Sequence, residues 1–254
     1  MGTRDVTNEP ERPFVVDERT MVVVMTGAGV SAESGIPTFR SAGGLWQTHR
    51  FENLASPEGF RADPDLVWRF YSHRRELAKQ CRPNPGHMAL ADLERRLGDR
   101  FLLVTQNVDG LHREAGSERI VELHGNLFTT RCADCERPPF HDPALHEKGT
   151  PSCELCGGKL RPHIVWFGEC LESEHFDRVE AFFGRAKQEE QRLVFLAAGT
   201  SGVVYPAAGL VDFAACFGAE TWLVNSEPPD NAHCFRYFVK GKSGEELPRL
   251  FSGM

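Results

Sequence analysis

The chain has 254 residues, enough for one large domain and a smaller insert. Hydrophobic residues make up 41% and charged residues 26%, ordinary for a globular protein, and no run approaches the ~18 apolar residues of a membrane span. A net charge of −7 argues against binding nucleic acid by phosphate neutralisation and is compatible with a basic, lysine-bearing partner.

The opening MGTRDVTNEPERP is polar and lacks the apolar core of a secretory signal, which predicts a flexible N-terminal tail over 1–18. Next, Met21–Met25 (MVVVM) predicts a buried strand. Pro64–Lys79 and Gly86–Arg96 carry helical periodicity. Phe101–Thr105 and Ile120–Leu123 read as strands, Ser173–Lys187 as a helix, Leu193–Ala197 as a strand, Pro206–Phe217 as a helix and Thr221–Val224 as a strand. Each strand is apolar on both faces, as a parallel sheet covered by helices requires. Polar turns follow four of them: TGAG, QNVDG, GTSG and NSEPP. In open α/β sheets ligands bind beyond the carboxyl ends of the strands, so these four loops can meet at one crevice.

Gly27, Gly29 and Ala32 fit G-x-G-x-x-G/A after a strand, a pattern that lets backbone and a helix N-terminus approach a pyrophosphate. The same glycines also suit an ordinary tight turn. The acidic residue that a hydride-transferring dehydrogenase carries on a second strand ~20 residues later is missing, so a dinucleotide would sit differently here, under a long loop.

The stretch Arg131–Arg161 breaks the α/β alternation. Of eight cysteines, Cys132-x2-Cys135 and Cys153-x2-Cys156 form two pairs, whereas Cys81, Cys170, Cys216 and Cys234 are scattered. The pairs predict one structural Zn²⁺ held by four thiolates with no open position, and a reducing, cytosolic compartment. A zinc ribbon that binds nucleic acid is the alternative, but Asp134, Glu136, Asp142, Glu147 and Glu154 offset the module's basic residues.

In DLVWRFYSHRRELAKQ, Val67, Phe70, Tyr71, Arg74, Leu77 and Ala78 share one helical face, which turns Arg74 inward and Arg75 elsewhere. An inward guanidinium needs an anion. Periodicity alone suggests an internal Asp or Glu; alternatively Tyr71 and Arg74, at i and i+3, bind a ligand carboxylate.

GAGVSAESGIPTFRSAGGLW, TQNVDGLH, ELHGN and GTSGVVYPAA resemble, in order, the successive motifs of sirtuins, over nearly the whole chain from about Met21. The resemblance implies an α/β fold: a Rossmann-like parallel sheet (19–40, 98–130 and 162–254) with a smaller zinc-binding/helical domain inserted (41–97, and a zinc-ribbon module at 131–161). It implies NAD⁺ as co-substrate, held by Gly27, Ala28, Gly29, Ala32, Phe39, Arg40 and Trp46, then by Gln106, Asn107, Val108 and Asp109, and on the phosphate and adenosine side by Gly199, Thr200, Ser201, Asn225, Ser226, Glu227 and Ser243. Taken alone, Asp109 reads as a helix-capping residue, and His124 as a structural hydrogen-bonder. The motifs instead make His124 the general base, with Asn107 as its catalytic companion. The acyl-lysine oxygen attacks C1′ of the nicotinamide ribose, nicotinamide leaves, and the products are lysine and O-acyl-ADP-ribose.

Tyr-x-x-Arg at Tyr71 and Arg74 resembles the class III motif that reads succinyl, malonyl or glutaryl groups, with acetyl also accepted, and Ala55 matches a small residue that leaves room for them. Val165, Phe167 and Gly168 resemble the segment that pairs with the backbone of the acylated-lysine peptide. No nucleic-acid or membrane partner is expected, and a monomer is favoured. The rivals are a sirtuin that mainly transfers ADP-ribose to protein from the same NAD site, and a non-catalytic NAD-sensing module.

Overall fold

A computed structural model describes residues 14–37, 54–202 and 207–253; Phe39, Arg40 and Trp46 lie outside them. Among the described residues nine strands form two sheets. The larger is wholly parallel and holds β1 (Thr20–Thr26), β2 (Phe101–Thr105), β3 (Ile120–Glu122), β7 (Arg192–Ala198), β8 (Glu220–Asn225) and β9 (Tyr237–Lys240), in the order β3-β2-β1-β7-β8-β9. The smaller is antiparallel: β4 (Gly125–Cys132) between β5 (Phe140–His141) and β6 (Leu160–Ile164).

β1 is central because its residues tolerate water on neither face. Met21, Val22, Val23 and Val24 are fully buried, each contributing about 1.5–3 kcal/mol. Helices cover both sides. On one, α6 (Ser173–Gln188) and α7 (Leu210–Cys216) pack Val179, Phe183 and Val211 on Val23, Met25 and Phe195. On the other, α4 (Pro85–Leu97) and α8 (Ser243–Phe251) pack Leu90, Leu93 and Leu247 on Val22, Val24 and Leu196. The chain builds outward from β1 to β3, then returns to the other side of β1 with β7. The order reverses there, where such sheets open a ligand crevice.

Residues 14–18 of the predicted tail are among those described, and they are anchored. Phe14 is buried between Trp222 and Phe251, with ring centroids 5.2 and 5.5 Å away, and Arg192 donates to the Val15 carbonyl. One buried aromatic side chain pins the polar segment around it. The strand predicted as Ile120–Leu123 closes at Glu122, which leaves His124 in a turn. The helix predicted from Pro206 begins as a 3₁₀ turn (Ala207–Gly209) before α7. The small sheet extends on both sides of the stretch 131–161.

Against that sheet lies α3 (Pro64–Gln80), started by Asp63, whose side chain accepts from Leu66 N–H. Trp68 donates to the Leu160 carbonyl at 2.8 Å. Arg75, expected to point elsewhere than the Arg74 face, is fully buried. It points elsewhere than Arg74, but into the zinc module: it donates to the Leu127 and Ala144 carbonyls and to Thr130 Oγ1 (2.6, 2.7 and 2.9 Å) and pairs with Asp142 at 3.3 Å. A periodic stripe marks one buried face and cannot show that a second face meets another module. Asp142, which also accepts from Thr130 and His146, is held down to about 2, so the stability it contributes is complete above its unfolded pKa and fades only as pH falls toward 2. Arg75→Met should destabilise the protein by roughly 3–5 kcal/mol, because it strands a buried carboxylate and several acceptors. Denaturant melts check this; a change under about 1 kcal/mol would show the pair to be dispensable.

Candidate active site

The floor of the crevice is two loops pressed backbone to backbone. Gly29 N–H donates to the Gly199 carbonyl at 2.8 Å and Gly27 N–H to that of Ala198 at 3.0 Å. A Cβ on Gly27 or Gly29 would lie 2.8 Å from the Gly199 oxygen, and one on Gly199 (φ +60°) 2.3 Å from Val30 N. The glycine pattern is therefore required first by loop-to-loop packing, and the Gly29 N–H is already committed within the protein. Ala32, the last residue of the glycine pattern, is exposed; Val30 and Ser31 of α1 (Ala28–Ala32) are the buried residues.

The loop after β2 crosses this floor. Asn107 spends both amide hydrogens on it, donating to the Gly27 carbonyl (3.0 Å) and to Ser31 Oγ (3.1 Å), which leaves its side-chain oxygen as an acceptor. Gln106 bridges to Thr200 Oγ1 at 3.2 Å. Asp109 accepts from Leu111 N–H at 2.9 Å across the turn that leads into α5 (Leu111–Glu114), whose N-cap is Gly110. Burial raises the Asp109 pKa; hydrogen bonds from Leu111 and the Ser31 hydroxyl and the charge of Arg74 oppose this. Asn107, Val108 and Asp109 line a half-open hollow of about 50 Å³ with Ala28, Ile36 and Arg74.

His124 Nδ1 lies 3.1 Å from the Gln106 carbonyl. A carbonyl can only accept, so Nδ1 carries the proton and Nε2 keeps its lone pair. Burial pushes the His124 pKa down; the Gln106 bond resists this, and nearby His175 adds to it. Neutral imidazole is thus the resting form at pH 7.

Sequence reasoning missed the layer beneath. His87 Nδ1 accepts from Asn84 N–H (3.3 Å), so its Nε2–H faces Ser31 Oγ (3.4 Å). His112 Nε2 lies 2.9 Å from Thr26 Oγ1, which donates to Thr105 Oγ1; that oxygen accepts from Asn107 N–H. Burial holds His87 at about 4 and His112 well below the usual value. These neutral imidazoles orient the hydroxyls that hold the Asn107 loop. Only the Asn84-Pro85 start of α4 hinted at this, as a cap.

Tyr71 and Ala55 are buried in the apolar cluster that also contains Leu127 and, at its edge, Val108 and Ile36. Tyr71 Oη accepts from Trp166 Nε1–H at 2.9 Å, and the Arg74 guanidinium lies 5.6 Å from the Tyr71 ring. Burial lowers the Arg74 pKa against the pull of Tyr71 and Asp109. Of the three predicted acyl-reading residues, only Arg74 lines this hollow.

Along the rim, Val165 N–H donates to the His124 carbonyl, Trp166 N–H to Glu169 Oε2 and Phe167 N–H to the Ala55 carbonyl (3.0, 2.8 and 2.9 Å). Three donors of the predicted peptide-pairing segment are thus used inside the chain. Phe167, exposed at 45%, and Gly168 (φ +85°) face outward.

On the far side, Asn225 donates to the Thr200 carbonyl at 3.0 Å, and Thr200 is buried. Ser201, Ser226 and Glu227 are exposed, and Glu227 pairs with Lys240 at 3.8 Å. Ser243 is buried, its carbonyl 3.0 Å from where a Cβ on Gly86 would be, so it is packed on α4 and does not line the hollow beside Asn107.

Away from the crevice, the sulfurs of Cys132, Cys135, Cys153 and Cys156 all lie within 4.8 Å of one another. Cys132–Cys156 and Cys135–Cys153 are 3.6 and 3.8 Å apart. A tetrahedral site with Zn–S bonds of ~2.3 Å has sulfur–sulfur edges of about 3.8 Å, so the four thiols fit the ion. Asp134 N–H points at Cys132 Sγ and Gly158 N–H at Cys156 Sγ, both at 3.3 Å, which supports thiolate charge.

These features recur in known proteins. A model of the Sir2 family matches residues 27–206. The NAD-dependent protein deacylase 2 of Pyrobaculum aerophilum is 47% identical over 228 residues, 90% of this chain and 88% of that protein. The NAD-dependent protein deacylase sirtuin-5, mitochondrial, of Danio rerio is 42% identical over 252 residues, 89% of this chain and 81% of that protein. The crystal structure of a Sir2 homolog–NAD complex aligns with a TM-score of 0.82 at 42% identity, covering 91% of this chain and 88% of that one. With its sheet order, its four-cysteine cluster and a family model that spans most of its length, this chain belongs to the Sir2 family.

Proposed function

We propose that the chain uses NAD⁺ to remove acyl groups from protein lysines, giving nicotinamide and O-acyl-ADP-ribose, and that it favours acyl chains ending in a carboxylate: succinyl, malonyl or glutaryl. The observation that carries this is the convergence of Asn107, Asp109 and Arg74 on one half-open hollow at the switch point of the sheet, with the His124 imidazole held by the same loop. NAD⁺ supplies an electrophilic ribose carbon with nicotinamide as its leaving group. The Asn107 oxygen accepts from a ribose hydroxyl, and Asp109 accepts from the carboxamide. His124, its Nδ1–H fixed on Gln106, uses Nε2 to take a hydroxyl proton. Leu127, Ile36 and Val108 keep water from the reacting carbon.

Arg74 offers a fork to the acyl carboxylate. Phe167 and Gly168 receive the peptide at the rim, with few backbone donors left for a ladder. The cysteines hold one structural zinc and suit a reducing, cytosolic compartment; among the described residues no helix is long and apolar enough to cross a membrane. We also infer a division into the parallel-sheet domain and a small zinc-binding/helical domain, and a monomer whose crevice is built from one chain.

Mass spectrometry of an acyl-lysine peptide panel with and without NAD⁺ tests the reading. Loss of succinyl with appearance of O-succinyl-ADP-ribose is expected; ADP-ribose attached to protein instead would favour the transferase. Arg74→Met should lower desuccinylation by about 10²-fold or more, the ~2–5 kcal/mol of a buried charge pair, and leave deacetylation within a few-fold. An equal fall in both would make Arg74 structural.

A further inference from the structure

Tyr71, on α3, is fully buried. Burial pushes its pKa up, so the phenol keeps its hydrogen at neutral pH. Its oxygen accepts from Trp166 Nε1–H at 2.9 Å, and among the described residues none accepts from its own O–H. A buried donor without an acceptor is costly. A phenolic O–H lies in the ring plane and has two settings, one on either side of the C–O bond; with the Trp166 indole donating on one side, the Tyr71 hydrogen is turned to the other. Trp166 itself is held firmly just beyond β6. The Arg161 guanidinium stacks on its ring, 3.3 Å from the centroid, and Phe60 packs on it at 5.4 Å. Arg161 pairs with Glu169 at 2.6 Å, and Glu169 in turn accepts Trp166 N–H at 2.8 Å. The residues on either side, Val165 and Phe167, donate to the His124 and Ala55 carbonyls, so neither end of the segment lets the indole drift.

We infer that Trp166 is a positioning residue for acyl recognition: its indole N–H fixes Tyr71 as a donor whose hydrogen is offered to the far end of the acyl chain. This rests on the preference for carboxylate-ended acyl groups proposed above. An ionised carboxylate can only accept hydrogen bonds, so it is matched by an O–H already turned away from the indole and repelled by an oxygen lone pair in the same place. A donor set in advance needs no reordering when the ligand arrives. Without the indole N–H, both settings of the Tyr71 hydrogen are open, and one of them presents the lone pair. An acetyl group ends in a methyl and makes no use of the hydroxyl. No proton is transferred and no covalent step is involved.

The test is steady-state kinetics of the full zinc-loaded chain with NAD⁺ and matched succinyl-lysine and acetyl-lysine peptides, on the wild type, Trp166→Phe, Tyr71→Phe and the double variant. Phenylalanine keeps a ring against Phe60 and Arg161 and removes only the N–H and part of the indole. Trp166→Phe should raise KM for the succinyl peptide roughly tenfold, the effect of one hydrogen bond to a charged group, with its kcat and both acetyl constants within about twofold. Added to Tyr71→Phe it should change nothing further, because its effect runs through the hydroxyl that Tyr71→Phe removes. Independent, additive effects in the double variant, or equal losses on both peptides, overturn this inference and leave Trp166 a packing residue. A Trp166→Phe chain with wild-type succinyl kinetics overturns it too; if Tyr71→Phe still lowers the preference for succinyl over acetyl, the acyl reading stands. If Tyr71→Phe leaves that preference unchanged, both fall. Should Trp166→Phe not fold, the indole N–H resonance that shifts in Tyr71→Phe decides instead. In the wild type it should move when the succinyl peptide binds, because a Tyr71 oxygen that donates to a carboxylate becomes a stronger acceptor. It should stay in place with the acetyl peptide; equal movement with both overturns the positioning role.

Discussion

His124→Ala should lower deacylation by about 10²–10⁴-fold, or roughly 3–5 kcal/mol of barrier, because it removes an imidazole whose Nδ1–H is fixed on a backbone carbonyl and whose Nε2 is left to accept a proton. Nδ1 is committed to Gln106, so Nε2 alone can take a proton. NAD⁺ binding should change much less: the phosphate-side loops are held by hydrogen bonds among Gly29, Gly199, Thr200 and Asn225. Burial favours the neutral ring, so the working form is already present at neutral pH. The acid limb of the wild-type rate should therefore lie below the ordinary histidine pKa near ~6.5 and disappear in the variant. Single-turnover rates across pH check both points. An Ala variant that retains most of its rate would remove His124 from the chemistry and favour the NAD-sensing module.

Zinc removal should have the largest effect on stability. The cysteine-bearing end of the small sheet has little core: β5 spans only Phe140–His141, and Leu155, at the tip of the second cysteine pair, is 73% exposed. Zinc binding in peptides of this kind is worth roughly 10–16 kcal/mol, comparable with the about 5–15 kcal/mol that holds a whole domain together. Cys153→Ser, or a strong chelator, should melt the small sheet first. The parallel sheet has independent cores on both faces and should melt separately at higher temperature. Metal analysis with far-UV and near-UV circular dichroism follows the two steps. A metal-free protein with an unchanged, single transition would refute the structural role. Activity should fall with the first step, because Arg74 rides on α3, and α3 is anchored to the small sheet by Trp68 and Arg75.

The features legible in the chain were those written as local runs. β1, β2, β7 and β8 are buried on both faces, so unbroken apolar stretches announce them. The cysteine pairs carry their own geometry, since the ion dictates both ligand number and spacing. β9 was missed because it is a short edge strand with Arg236 before it and Lys240 at its end, charges that protect an edge and disguise a strand. The helix α2 (Pro57–Ala62) was legible in retrospect: Ser56 caps it by accepting from Gly59 N–H, and Pro57 opens it.

By itself, then, the amino-acid order determined the sheet class, the metal and the residues of the crevice loops, because hydrophobic runs, ligand spacing and linear motifs are properties of neighbours along the chain. Only the tertiary structure decided what each of those residues faces. Gly27 and Gly29 answer to Gly199, Arg75 is buried against Asp142, Phe14 closes the core, and His87 and His112 brace the Asn107 loop from below. Those partners lie far apart along the chain, and which of them meet depends on how the two sheets and their helices pack.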